Sequence, residues 1–148
     1  MKRRQLLGAA AGTAVGVSAV AGCGLFDEDS DPAPQPDALQ PVLDQALRLA
    51  SAYDRAIVAE PDLRDRLSPL ADDHRAHAAE LAGVIGVALP SAAPSEPPGD
   101  AQSVASLRKA EQAAQKTATA ACRTAPADRA ALTGSIAAAR AAHAEALR

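Results

Sequence analysis

Aromatic side chains are nearly missing from this chain: one Phe, one Tyr and no Trp in 148 residues. Stacking on bases or sugars is therefore closed to it, which excludes a sequence-tolerant single-strand binder. With so few aromatics and β-branched residues, a β-sandwich has little to build on. There are two Cys, too few for a disulfide scaffold or a Cys-rich zinc site. The single Met is Met1, so no Met-ligated copper or haem site can form in the body of the chain. Gly-rich phosphate loops, nucleophile elbows and zinc-peptidase motifs are also absent from the sequence.

What is present is alanine, 40 residues of it, with 15 Leu, and Arg over Lys by 12 to 3. Alanine is the best helix former, so the composition predicts an all-α protein. The length predicts about one domain.

The N-terminus reads as an export signal. Lys2, Arg3 and Arg4 form a basic start, and Leu6 to Val20 is uncharged. That run is shorter than the roughly 20 residues a membrane-spanning helix needs. Val20-Ala21-Gly22-Cys23 resembles the lipobox of bacterial lipoproteins. The resemblance implies cleavage before Cys23, a diacylglycerol on its thiol, palmitate in the lipid anchor, and residence on the extracytoplasmic face of the cell membrane. Arg3-Arg4-Gln5-Leu6-Leu7 also resembles a twin-arginine export motif, and an ordinary basic start is the alternative. Residues 1–22 are thus expected to be a signal peptide. The rest carries 12 basic and 18 acidic groups, a formal charge of −6. Such a chain is a poor partner for nucleic acid or anionic lipid. Residues 23–37 follow as a lipidated Cys and an acidic tether, extended by Pro32, Pro34 and Pro36.

Residues 38–148 are expected to form four helices in two hairpins. Helix 1 spans about 38–59, with an apolar seam of Leu39, Leu43, Ala46, Ala50, Tyr53 and Ile57 at helical spacing. Glu60-Pro61 breaks it, and helix 2 follows over about 61–83 with seam Leu63, Leu67, Leu70, His74, His77 and Leu81. Pro69 is expected to bend that helix. Helix 3, over about 101–123 with Asp100 as its cap, carries Val104, Leu107, Glu111, Ala114, Ala118 and Ala121. Pro126 opens helix 4, about 127–148, with seam Leu132, Ile136, Ala139, His143 and Leu147. Residues 84–100 form a Pro-rich connection. Extended, its 17 residues reach about 56 Å, enough to cross a 22-residue helix of about 33 Å. The expectation is an antiparallel four-helix bundle in crossover topology.

An offset of 66 residues maps Asp62 onto Asp128, Leu70 onto Ile136, His77 onto His143 and Leu81 onto Leu147, a weak internal repeat.

Polar residues interrupt the seams at His74, His77, Glu111 and His143, and each needs a partner if buried. Hairpin arithmetic places Glu111 opposite Arg140 and Asp44 opposite His77. Asp73 and His77, four residues apart, read as a surface pair. Two readings stay open. One is a buried hydrogen-bond and ion-pair network of these residues that fixes register. The other is a mononuclear site from His77, His143 and Glu111, joined by His74, of a kind that suits Zn, Fe or Cu. Cys122 reads as a small buried hydrophobe.

Asp73-His74-Arg75-Ala76-His77-Ala78-Ala79-Glu80-Leu81 and Ser135-Ile136-Ala137-Ala138-Ala139-Arg140-Ala141-Ala142-His143 resemble the ferritin-like superfamily. The closer likeness is to ferritin-like domains of unknown function on actinobacterial lipoproteins. Metal-active members carry Glu-x-x-His on two helices and one Glu on each of the others. His77 and His143 fit the motif histidines and Glu111 the lone Glu of helix 3. The motif glutamates would fall at His74 and Arg140, and helix 1 offers Gln45 or Asp44. Arg140 puts a permanent cation where a bridging carboxylate belongs. The resemblance therefore implies a membrane-anchored, non-enzymatic structural or interaction module with a degenerate metal site and no catalytic residues. Its partner would be an extracytoplasmic protein or a second copy. A one-ion or small-ligand binding module is the alternative, and a di-iron oxidoreductase a more distant one.

Overall fold

The computed structural model describes residues 35–91 and 102–148. The expected signal peptide, Cys23, most of the tether, Asp100 and the middle of the connection lie outside them. Among the described residues there are four α-helices, one 3-10 turn and no strand: α1 Gln40–Ala59, η1 Pro61–Leu63, α2 Arg64–Ile85, α3 Val104–Thr124 and α4 Ala127–Ala146. The described residues are all-helical, as the alanine content predicts, and the helices pack as a bundle.

The ends follow from local chemistry. Asp37 accepts the backbone N–H of Leu39 at 2.8 Å and the Arg129 guanidinium at 2.7 Å. Both hold its carboxyl below the ordinary value, the backbone N–H most strongly. Pro61 opens a 3-10 turn rather than the first α-turn of helix 2. That helix runs two residues past its expected end and stops at Gly86, whose φ of +78° suits glycine. Helix 3 starts later than expected. Its cap is Ser103, which accepts the N–H of Ser106 at 3.2 Å. A cap of this kind contributes about 1 kcal/mol.

Helix α1 lies against α2 and α3, and α4 lies against α3 and α2. Two apolar clusters form the interior. One holds Leu49, Ile57, Leu67, Leu107 and Leu147. The other holds Leu39, Val42, Leu43, Leu81 and Ile136. The helix 1 seam is buried throughout as read. Helix 2 is turned slightly from expectation. Ala71, His74 and Ala78 are buried, while Leu63, Leu70 and His77 are only half-buried. In helix 4, Thr133 and Arg140 are buried and Leu132 and Ala139 half-buried.

Polar side chains sit between the two clusters. On α2, His74 separates Ala71 of the first from Ala78 of the second. On α4, Arg140 and His143 separate Ile136 from Leu147. Cys122 is half-buried rather than buried, its thiol 3.3 Å from the Ala130 carbonyl. It leans on Gly134, where an added Cβ would meet the sulfur at 3.3 Å.

Candidate metal centre

Glu111 is the focus of the interior. It is the one buried carboxylate among the described residues. An ionised carboxylate only accepts hydrogen bonds, so its neighbours must donate. Its Oε1 receives the Tyr53 hydroxyl at 2.7 Å, His74 Nε2 at 2.6 Å and His143 Nδ1 at 3.3 Å. Burial alone would push the Glu111 carboxyl up; the hydrogen bonds from His143 and His74 outweigh it and bring its pKa to about 2. Tyr53 is pushed up from the ordinary phenol value by burial and by the Glu111 charge.

Packing fixes the rings. Tyr53 stacks on His74 with centroids 5.5 Å apart, and His74 meets His143 edge-on at 5.1 Å. The far nitrogen of His143, Nε2, lies 3.2 Å from Asp73 Oδ2. His143 is thus held between two carboxylates. Its side chain is 6% exposed and that of Asp73 60%, so this pair links the interior to solvent along the α2–α4 edge. Burial pushes the His143 imidazole down, but its bonds to Glu111 and Asp73 and their charges raise its pKa above the usual 6.5.

Three of the expected pairings are not made. Arg140 does not bond Glu111. It donates to the carbonyls of Ala114 and Val42 at 2.9 and 3.1 Å and to Gln45 Oε1 at 3.2 Å. Burial pulls its pKa down to about 10, the Glu111 charge opposing. Hairpin arithmetic missed by one helical turn, since Ala114 is the next residue up the same face of α3. Asp44 is bonded to Gln40 at 2.8 Å, not to His77. Asp73 turns to His143 rather than to His77.

His77 stands outside the cluster. Its ring lies 6.3 Å from that of His74, and burial followed by the charges of His74 and Arg140 holds its pKa below the ordinary value. The residues brought together are His74, Glu111 and His143. Each offers a ligand atom, and these atoms lie within 4.8 Å of one another. His74 therefore takes the place expected of His77. Two members were missed by the sequence reading. Asp73 is exposed and Tyr53 buried, as read; what was missed is that Asp73 reaches His143 and that a buried phenol hydroxyl calls for an acceptor, here Glu111.

A dinuclear carboxylate site does not fit these residues. Glu111 is the one buried carboxylate among the described residues, Arg140 brings a bonded guanidinium beside it, and Gln45 is engaged by Arg140 and Thr117. One ion fits the donor set better, because Glu111 Oε2 is buried with no partner. Two imidazoles and a carboxylate are donors of the type that hold Zn, Fe or Cu.

No protein family, curated protein or solved structure was found to match this chain.

Proposed function

We propose that this chain is a lipid-anchored extracytoplasmic helical module that lacks a dinuclear centre and holds a single transition-metal ion in its interior. The observation that carries the reading is the convergence of His74, Glu111 and His143, all buried, with ligand atoms within 4.8 Å. We read the module as a binding and interaction unit rather than an enzyme. Its partner would be an extracytoplasmic protein or a second copy of the chain.

The ferritin-like, antiparallel arrangement belongs to the same reading. The order of cross-helix bonds supports it. Along α1 and α3, Gln45 meets Thr117 and Tyr53 meets Glu111, so one number rises as the other falls. Along α2 and α4, Asp73 meets His143 and Val84 meets Arg129 in the same sense. Attachment rests on the lipobox at Val20 to Cys23. No helix among the described residues is long and apolar enough to cross a membrane.

Elemental analysis of the purified protein, with titration of Zn2+, Fe3+ and Cu2+ into wild type and His143→Ala, tests the reading. One ion per chain in wild type and none in the variant is the expected result. No ion above background in a folded wild type would leave the cluster a hydrogen-bond network that fixes helix register.

A further inference from the structure

Glu111 Oε1 carries more donors than one carboxylate oxygen accommodates well. Three groups point at it from 2.6 to 3.3 Å, while Oε2 of the same carboxylate is buried and unpaired. The donors come one from each of the other helices: Tyr53 from α1, His74 from α2 and His143 from α4. Four helices thus send one heteroatom each to a common focus. A cation at that focus would draw lone pairs where three protons crowd one oxygen, and would leave both Glu111 oxygens usable.

We infer that Tyr53 is a fourth ligand of this centre, making it a two-nitrogen, two-oxygen site selective for a hard trivalent ion such as Fe3+. The inference rests on the single-ion reading above and names the ion class. Its ground is the position of the hydroxyl, 2.7 Å from Glu111 Oε1 and on the ring that stacks over His74. Carboxylate and phenolate oxygens are hard donors, which favour trivalent iron over zinc, while imidazole accepts either. On loading, the Tyr53 O–H bond breaks, an oxygen–metal bond forms and the proton passes to water. No oxidant or reductant is required.

The chain has one Tyr and no Trp, so any tyrosinate signal belongs to Tyr53. The experiment uses the full chain titrated with Fe3+ as its citrate complex, with Ga3+ and with Zn2+, for wild type, Tyr53→Phe and His143→Ala. Wild type should take one Fe3+ and develop a visible phenolate-to-iron charge-transfer band. Ga3+, colourless and redox-silent, should shift the ultraviolet band of the tyrosine to its phenolate form. Tyr53→Phe, which keeps the ring and its packing, should lose the band while still binding Zn2+. Its Fe3+ affinity should fall by at least the roughly 10–100-fold that losing even an outer-shell partner costs a metal site. Zn2+ binding with no band in wild type, or a band that survives in Tyr53→Phe, overturns the inference and leaves the single-ion reading standing. A wild type that binds none of the three ions overturns both. The Ga3+ difference spectrum of wild type decides the matter even if a variant folds poorly.

Discussion

Glu111→Ala is expected to destabilise the fold by about 3–5 kcal/mol, the range for breaking a buried charge pair from one side. The loss has a specific anatomy. Tyr53, His74 and His143 all donate to Glu111 Oε1, and the alanine leaves them in the interior without that acceptor. The pH dependence should change with it. Folding lowers the Glu111 pKa from 4.5 to about 2. Its contribution is therefore present above about 4.5 and lost as pH falls from there towards 2. Folding raises the His143 pKa above 6.5. That contribution is complete below about 6.5 and lost as pH rises through the raised value. The wild-type cluster thus stabilises most between these two limbs. Urea midpoints across pH read the effect: Glu111→Ala should lose the acid limb and flatten the alkaline one, because Asp73 alone then holds His143. A variant that kept both limbs would place the pH dependence elsewhere.

Arg140→Ala should cost a comparable amount, about 3–5 kcal/mol, by a different route. Arg140 is the largest wholly buried side chain of the described residues. Its removal opens a cavity and strips donors from the carbonyls of Val42 and Ala114 and from Gln45. It also removes a positive charge that faces Glu111. Arg140→Met, which keeps most of the volume and adds no charge, separates the two effects. Recovery of more than half the loss in Met, by chemical denaturation, would assign the cost to packing. No recovery would assign it to the lost guanidinium bonds to Val42, Ala114 and Gln45.

Much of the fold could be read from the order of residues, because proline, glycine and the Leu and Val positions mark the helices sharply. Pro61 and Pro126 sit at the breaks, and the whole helix 1 seam is buried as its spacing implies. Helix 2 was harder, for a physical reason. Alanine lies on exposed as well as buried positions of it, so the buried Ala71 and Ala78 carry no contrast with the exposed Ala76 and Ala79. A rotation of one position then exchanges His74 for His77 without penalty to the pattern. The same ambiguity hid Thr133 and Arg140 on helix 4. The polar interruptions at His74, Glu111 and His143 were visible, but their partners were not. Partners depend on rotation and register across helices, which small side chains specify weakly. Tyr53 was overlooked as a partner of Glu111 because its ring satisfied the apolar pattern and its hydroxyl went uncounted.

The filling of the interior has a thermal consequence. Between the two apolar clusters a guanidinium, two imidazoles, a carboxylate and a phenol fill the interior, and much of the remaining buried surface is alanine. Unfolding such an interior hydrates polar atoms along with the hydrocarbon of the two clusters, and these two exposures change heat capacity in opposite directions. The heat-capacity increment per residue then falls below the usual 12–15 cal/mol/K or so, and the enthalpy of unfolding varies less with temperature. The stability curve becomes a low, broad dome. A bundle of this make-up keeps its four inward-pointing heteroatoms in place over a wide span of temperature, with modest stability at any point along it.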